Sequence, residues 1–174
     1  MLDFTTIDYL KEGNEKQKRA YNVLIKYQIF EKLKEYFPIL AGTIPIEIDT
    51  DKSDLDIICE VKDMAGFEKK LKQILPENID FQITRNNIHG EECVILNGIL
   101  DEFSIEIFGQ NKPAFEQNAY RHMIAEYKIL REKGDDFKQK IIELKKEGIK
   151  TEPAFGVLLG WENPYEDLLK FRKK

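Results

Sequence analysis

Cysteine, histidine and long hydrophobic runs are scarce in this sequence, and each scarcity excludes a class of protein. The chain has two cysteines and two histidines, and their spacing suggests no zinc site. Cys59 and Cys93 both lie in apolar segments, which predicts buried, reduced thiols. The longest apolar segments, among them Ile44–Ile48 and Phe103–Phe108, are too short and too often interrupted by charge to cross a bilayer. We therefore expect no membrane segment.

The first residues also lack a targeting signal. Met1–Tyr9 contains two aspartates, no basic residue and no apolar core, unlike a signal or transit peptide. The 174 residues are 42% hydrophobic and 34% charged, a composition typical of a globular protein with a charged surface. The net charge of −5 argues against a surface that holds nucleic acid over a wide area. These features predict a cytoplasmic protein that acts on small substrates or through local contacts.

The N-terminal third follows a helical and then a strand-like pattern. Apolar residues at helical spacing over Glu15–Phe37 predict one long amphipathic helix, which Pro38 ends. Ile39–Gly42 and Ile44–Ile48 have the short apolar pattern of strands. Asp49–Ser53 is polar and rich in turn-forming residues. We expect a strand, a turn and a further strand here.

Two aspartates interrupt the next strand pattern, SDLDIICEV. Because side chains alternate along a strand, Asp54 and Asp56 must point to one face and the apolar residues between them to the other. Asp63 is placed to cap a helix that runs to Leu75 before Pro76. Three further strands are predicted at Asp80–Thr84, Glu92–Leu96 and Glu102–Phe108, with polar connections at Arg85–Glu91 and Asn97–Asp101. Helices are predicted at Ala114–Glu132 and Phe137–Lys146, then in two short segments separated by Gly160 and Pro164.

These elements predict an α/β (α+β) fold with a small mixed, mostly antiparallel sheet and helices packed on it. We expect residues 1–174 to form a single domain. Its core would comprise residues 15–110, and the helices of residues 111–174 would form one wall of a cleft.

Three motifs, in this order, resemble the nucleotidyltransferase superfamily, whose fold DNA polymerase beta shares with small antibiotic adenylyltransferases. Gly42 and Thr43 follow a predicted helix, the sequence DLD at Asp54–Asp56 comes next, and Glu106 lies in a later IEI strand. The segments GTIPIEI, SDLDIICEV, QNAYRHM and TEPAF are similar to an uncharacterised bacterial family of unknown function.

The resemblance implies roles for the three acids. Asp54 and Asp56 would be metal ligands, and Glu106 would complete a second metal site or act as base toward an acceptor hydroxyl. Carboxylate oxygens suit Mg²⁺ or Mn²⁺, and nucleotidyl transfer depends mainly on cations placed against the phosphates. The implied partners are a nucleoside triphosphate and an unidentified acceptor.

The turn around Gly42 would contact the nucleotide. Glycine lets the backbone come close to a triphosphate, and the Thr43 hydroxyl stands where the superfamily usually has serine. Ser53 and Lys52, next to the aspartates, are further candidates for nucleotide binding. Unlike many relatives, the chain has no basic residue directly after the turn, where it reads IPIE. Arg121 is the other nearby candidate for a phosphate contact.

Four residues are candidates for substrate contacts: Arg121, His122, Tyr120 and His89. His122 shares a helix face with Asn118 and Glu126 and would look into the cleft or form a hydrogen bond where helix meets sheet. Tyr120 would stack on a base or belong to the core. His89 lies in a predicted hairpin connection.

Three functions remain open from the sequence. The preferred one is metal-dependent transfer of a nucleotide monophosphate from a nucleoside triphosphate to a hydroxyl-bearing acceptor. The first alternative is a catalytically inactive binding or regulatory protein of the same fold. The second is a structural protein, such as a homodimer, in which Asp54 and Asp56 only form the solvent face of an edge strand.

Overall fold

A computed structural model describes residues 2–88 and 90–171 of the chain. His89, one of the predicted substrate contacts, lies outside the described residues. The α-helices are α1 Glu15–Lys26, α2 Ile29–Lys32, α3 Met64–Leu71, α4 Asn118–Lys133, α5 Asp135–Lys146, α6 Thr151–Leu159 and α7 Pro164–Lys170. The strands are β1 Ile39–Ala41, β2 Leu55–Glu60, β3 Phe81–Ile88, β4 Glu91–Leu100 and β5 Phe103–Gln110. Short 3-10 turns cover Asp8–Glu12, Lys34–Tyr36 and Ala114–Glu116.

The strands form one sheet with the order β1-β2-β5-β4-β3. β2 and β5 pair in parallel, and the other three neighbouring pairs are antiparallel. This confirms the predicted mixed, mostly antiparallel sheet. It also shows that the hypothesis of an edge strand for the two aspartates is wrong, because β2 lies between β1 and β5.

Apolar side chains pack on both faces of the sheet. Ile57 of β2 and Ile107 of β5 are fully buried in a cluster with residues of α1 and α3. Ile58, which points to the opposite face of β2, belongs to a second cluster with residues of α4, α5 and α6. The alternation predicted for β2 is therefore confirmed, and Asp56 lies on the face on which the C-terminal helices pack.

The predicted long helix is interrupted near its middle. α1 ends at Lys26, Gln28 has a left-handed backbone with φ of 55°, and α2 begins at Ile29. The interruption turns the chain so that Ile29, which lies off the predicted apolar face, is fully buried. A single left-handed residue costs about 1 kcal/mol, which burial of an isoleucine offsets. Helical periodicity alone carries no signal for it.

The β3–β4 hairpin extends beyond its predicted strands. Arg85–Ile88 and Asn97–Leu100, expected in connections, belong to β3 and β4. The polar side chains of Arg85, Asn86 and Asn87 suit the outer strand β3, which is largely exposed, so polarity here does not mark a loop. The helix predicted to reach Leu75 ends at Leu71 instead, and the predicted cap is confirmed: the Asp63 carboxylate accepts a hydrogen bond from Gly66 N at 3.0 Å.

The C-terminal helices begin and end close to the predicted breaks. Gly134 separates α4 from α5 with φ of 79°, and Gly160 ends α6 with φ of 71°, conformations that glycine adopts without strain. Pro164 is the first residue of α7. Across the described residues, none of the helices is long and apolar enough to span a membrane.

Candidate active site

Gly42 turns the chain immediately after β1 and lies against Asp56. Its φ is +81°, and a Cβ atom at this position would lie 2.3 Å from Asp56 Oδ2. Both the backbone conformation and the missing side chain are therefore required here. The close approach that glycine permits in this structure is to the carboxylate of β2.

The segment Ile44–Ile48 is a turn, so the strand predicted there is wrong. The amide of Ile48 donates to Thr43 O at 3.2 Å, and Glu47 has a left-handed φ of 58°. Pro45 lacks an N–H for a strand ladder, which favours the turn. The buried isoleucines of this segment produce an apolar pattern that looks like a strand.

Three side chains anchor this turn from the helices. Gln17 of α1 is buried, and its Nε2 donates to Ile44 O at 3.0 Å. Lys145 of α5 donates from Nζ to Ile48 O at 2.6 Å, and Lys138 forms an ion pair with Glu47. The turn is thus held between the two helical layers, which fixes the path from Gly42 to the aspartates.

The predicted nucleotide-binding hydroxyls of Thr43 and Ser53 lie side by side. Their oxygens are 3.0 Å apart, and the amide of Thr50 donates to Ser53 Oγ at 2.9 Å. These contacts order the end of the polar turn just before Asp54. Lys52 is exposed in the same turn.

Asp56 and Glu106 are directly paired positions on the parallel strands β2 and β5. Paired residues on adjacent strands point to the same face with Cβ atoms about 5 Å apart. Asp54 lies two positions before Asp56, immediately ahead of β2, and is exposed. Residues that are far apart in sequence, 56 and 106, are therefore brought together by strand pairing.

The acids influence one another electrostatically. Burial, with the negative charges of Glu106 and Asp54, raises the pKa of Asp56 to about 7, while Lys145 opposes the rise. Burial and the charge of Asp54 also raise the pKa of Glu106. A cation bound between these carboxyl groups would stabilise their ionised forms.

Asp56 and Glu106 line a cavity of about 500 Å³. Its floor is the sheet face that carries Asp56 and Glu106, and its wall comes from α4 and the start of α6. The lining residues are Gly42, Thr43, Asp56, Ile57, Ile58, Ile88, Glu91, Glu106, Phe108, Gln110, Lys112, Gln117, Asn118, Ala119, His122, Met123, Glu126, Thr151 and Glu152.

The helical wall includes the face predicted from the sequence. Asn118, His122 and Glu126 of α4 all line the cavity. The two ring nitrogens of His122 face Tyr165 O at 3.0 Å and Glu152 Oε1 at 3.3 Å. His122 therefore lines the cavity and is also hydrogen-bonded, to α6 and α7 rather than where a helix meets the sheet, and its role as a substrate contact stays a prediction.

Five predicted site residues are absent from the described lining of the cavity: Lys52, Ser53, Asp54, Tyr120 and Arg121. Lys52 and Arg121 are exposed, and an Arg121 nitrogen donates to Leu169 O at 3.2 Å. The Tyr120 ring packs edge-on against Phe115 with centroids 6.3 Å apart. Their roles in substrate binding remain predictions.

Sequence reasoning missed several lining residues. Lys112 lies two residues after β5. Among the described residues, it is the only lysine that lines the cavity. Its place soon after the strand of Glu106 was the available signal. Gln117 is buried, and its Nε2 donates to Cys59 O at 2.9 Å and Lys112 O at 3.0 Å. Glu152 lies in the segment TEPAF, whose family resemblance was the available signal, but only tertiary packing brings it beside His122.

The carboxylates fit a divalent cation in their chemistry. Within residues 2–88 and 90–171, no group of three histidine, cysteine or acidic side chains is already arranged around a common point. However, Mg²⁺ usually takes one or two carboxylates and completes its shell with phosphate and water. Asp56 and Glu106, with Asp54 beside them, supply that number of oxygens.

The sequence profile described as "Domain of unknown function (DUF4269)" matches residues 22–171. The chain belongs to this family. No curated protein matches it significantly in sequence.

Three solved structures resemble the DUF4269 chain. A cytoplasmic RNA terminal U-transferase aligns with a TM-score of 0.53 and 15% identity over 82% of this chain and 45% of its own. A GLD-2/RNP-8 complex gives 0.55 and 11% over 87% and 60%. The Cid1 poly(U) polymerase, solved with Mg and 3'-dATP bound, gives 0.53 and 12% over 80% and 45%. The chain therefore has a nucleotidyltransferase-like fold and spans between 45% and 60% of the lengths of these proteins.

Proposed function

We propose that this protein transfers a nucleotide monophosphate from a nucleoside triphosphate to a hydroxyl-bearing acceptor in a reaction that depends on Mg²⁺ or Mn²⁺. The observation that carries the proposal is the pairing of Asp56 with Glu106 beside the Gly42 turn, on the floor of a cavity. The nucleotidyltransferase-like fold supports it. A cytoplasmic location, where nucleoside triphosphates are available, is part of the same proposal.

Each acid has a role that its position supports. Asp54 and Asp56 would hold the cation, and Glu106 would complete its ligands or accept the proton of the acceptor hydroxyl. A bound divalent cation supplies charge stabilisation at the phosphates and orients them for in-line displacement. The raised pKa of Glu106 brings this carboxyl closer to the range in which a general base works at neutral pH.

The remaining predicted residues would position the nucleotide. The Gly42–Thr43 turn exposes backbone at the cavity beside Asp56, and Ser53 stabilises the Thr43 hydroxyl. Lys112 is the cation placed to contact phosphate from the lining, with Lys52 and Arg121 as further candidates outside it. These contacts orient the substrate and require no covalent step from the protein.

The first test is calorimetric titration of ATP and GTP in Mg²⁺ or Mn²⁺, with wild type, Asp56→Asn, Glu106→Gln and the double variant Asp54→Ala/Asp56→Ala. We expect the single variants to weaken metal-dependent nucleotide binding at least about tenfold. Binding by wild type then justifies measuring pyrophosphate release with mixed acceptors.

Glu60→Gln is the matched control. Glu60 lies four residues after Asp56 on the same face of β2 and is outside the described cavity lining. It should bind nucleotide as wild type does. Nucleotide binding that ignores the metal, or that survives Asp56→Asn unchanged, would contradict the proposed site.

A catalytically inactive nucleotide-binding or regulatory protein is the second candidate. The observation that favours it is the scarcity of basic side chains at the cavity. Among the described residues, Lys112 is the only lysine or arginine in the lining, and Lys52 is exposed in its turn. Metal-dependent nucleotide binding without pyrophosphate release for any acceptor would favour this function over transfer. A homodimer whose acids have no ligand would show neither.

A further inference from the structure

Glu126 is a buried acid at the helical wall of the cavity that the transfer chemistry above does not use. Its side chain is 3% exposed and lines the cavity. Its Oε1 is buried and has no hydrogen-bond partner in the described part of the chain. An unpaired buried acceptor is unfavourable, so a ligand that donates a hydrogen bond here would remove that penalty.

Two donor-bearing side chains near Glu126 form hydrogen bonds to other groups and none to its Oε1. Lys145, whose positive charge acts on Glu126, donates one hydrogen bond to Ile48 O. His122, one turn earlier on α4, lies between Glu152 and Tyr165. The protein therefore leaves this carboxyl free to accept a hydrogen bond from a ligand.

A second acceptor in the cavity lining is also without a donor. Gln117 Oε1 is buried and unpartnered among the described residues, because the amide nitrogen of the same side chain is fixed by Cys59 O and Lys112 O. Both free acceptors belong to the wall formed by α4 and the residue before it. This wall is complementary to a ligand with hydrogen-bond donors.

The charge of the lining favours a cationic donor. The described lining has five acidic residues and one lysine, Lys112. The acids are Asp56, Glu91, Glu106, Glu126 and Glu152. Burial, with the charge of Glu152, raises the pKa of Glu126 to about 8 against the opposing charge of Lys145. A ligand that brings its own positive charge would stabilise the ionised carboxylate.

We infer that Glu126 binds the ammonium group of the acceptor, so that the acceptor is an amino alcohol, a compound with a protonated amine near its hydroxyl. This inference rests on the proposed function, since the acids on the sheet would act on the hydroxyl of the same molecule. Rotation about the terminal bond of Glu126 brings either carboxylate oxygen toward the cavity.

A second metal ion suits this wall less well than an amine. Glu152, the other carboxylate of this helical wall, is already held by His122. One free carboxyl does not satisfy a divalent cation, which requires several oxygen ligands. An ammonium group needs only a few acceptors and tolerates uneven geometry.

Matched sugars provide the test. Glucosamine, glucose and N-acetylglucosamine have the same ring and differ at C2, which carries an amine, a hydroxyl or an acetamide group. Each is titrated into the full chain with Mg²⁺ and ATP in an amine-free buffer. We expect glucosamine to bind at least about tenfold more tightly than the other two, because a hydrogen bond to a buried charged group contributes about 1.5–3 kcal/mol. Equal affinity for the three sugars, or no binding of glucosamine, overturns the inference.

Variants identify the residue responsible. Glu126→Gln keeps the shape but removes the charge, and it should abolish the preference for glucosamine, whereas Glu132→Gln, an exposed change on the same helix, should keep it. Thermal unfolding of each variant checks that the fold persists. A preference that survives in Glu126→Gln overturns the inference.

Asp56→Asn separates this inference from the proposed function. If the amine preference is real, glucosamine titrated without nucleotide should retain its advantage over glucose in Asp56→Asn. If wild type binds no nucleotide, the proposed transferase function is contradicted, but the affinities for glucosamine and glucose can still be compared. Normal nucleotide binding with no amine preference would overturn the amine site alone.

Discussion

At Gly42, both the backbone conformation and the lack of space for a side chain require glycine. Its left-handed φ and its contact with Asp56 both require glycine. We therefore predict that Gly42→Ala weakens metal-dependent nucleotide binding by an order of magnitude or more, because the new methyl group must displace the Asp56 carboxylate. Calorimetric titration of ATP with Mg²⁺ measures this loss, and urea unfolding measures the cost to stability.

Gly148→Ala is the control for backbone strain. Gly148 has a φ of +97°, and no atom lies within 4 Å of the place that a Cβ atom would occupy, so alanine adds strain of about 1 kcal/mol without a clash. It should leave nucleotide binding unchanged. Equal stability loss in both variants, with nucleotide binding intact in Gly42→Ala, would show that contact with Asp56 is not limiting.

At the scale of elements, α1 positions the site through Gln17. Its Oε1 accepts from Asn14 N at 3.0 Å while Asn14 Oδ1 accepts from Gln17 N at 2.9 Å, which completes a capping box at the start of the helix. Its Nε2 donates to Ile44 O and Pro45 O. One buried side chain thus couples the start of a helix to the turn that follows Gly42.

We predict that Gln17→Ala lowers the free energy of unfolding by about 2–3 kcal/mol, because two buried carbonyls lose their donor and the helix loses its cap. Urea denaturation followed by circular dichroism measures the change. Gln73→Ala, an exposed position, should cost less than about 0.5 kcal/mol. Similar losses in the two variants would mean that the turn is held without Gln17.

At the scale of the whole molecule, stability responds to pH through the buried acids. The pKa of Asp56 rises from 3.8 to about 7 on folding, so the folded state binds more protons than the unfolded state between these values. The contribution of Asp56 to stability is therefore largest below about pH 4 and is lost as the pH rises to 7. Glu106 acts in the same direction.

Asp56→Asn should therefore gain stability relative to wild type as the pH rises from about 4 to 7, by roughly 4 kcal/mol if the whole shift in the pKa of Asp56 is realised. Urea unfolding at a series of pH values measures the difference between the two proteins. Mg²⁺ should reduce this difference, because a cation that binds the folded state stabilises wild type. A difference that is constant with pH would show that folding does not change the pKa of Asp56.

Much of the fold follows from local patterns. Alternation in SDLDIICEV predicted the face of β2 that carries Asp56, and helical spacing placed Asn118, His122 and Glu126 on one face of α4, as the structure bears out. Glycine and proline marked the breaks between the C-terminal helices. These signals are local, because side-chain direction depends only on the period of the element.

Other features depend on contacts that periodicity does not encode. The left-handed Gln28 breaks the first helix, and the buried isoleucines of Ile44–Ile48 occupy a turn between two helical layers. Both segments are apolar because tertiary packing buries them, whatever their local conformation. Polar strand residues such as Arg85 were assigned to a loop because an exposed outer strand has no apolar face to reveal it.

The sequence by itself determined the period of each element, the face of β2 that carries Asp56 and the resemblance to nucleotidyltransferases. Only the tertiary structure decided that Asp56 lies beside Glu106, that Gly42 packs against this carboxylate and that Glu126 and Glu152 meet at the cavity wall. The physical reason is the range of each interaction. Periodicity acts over a few residues, whereas tertiary contacts join side chains that are far apart in the chain, such as Asp56 and Glu106, which are 50 positions apart.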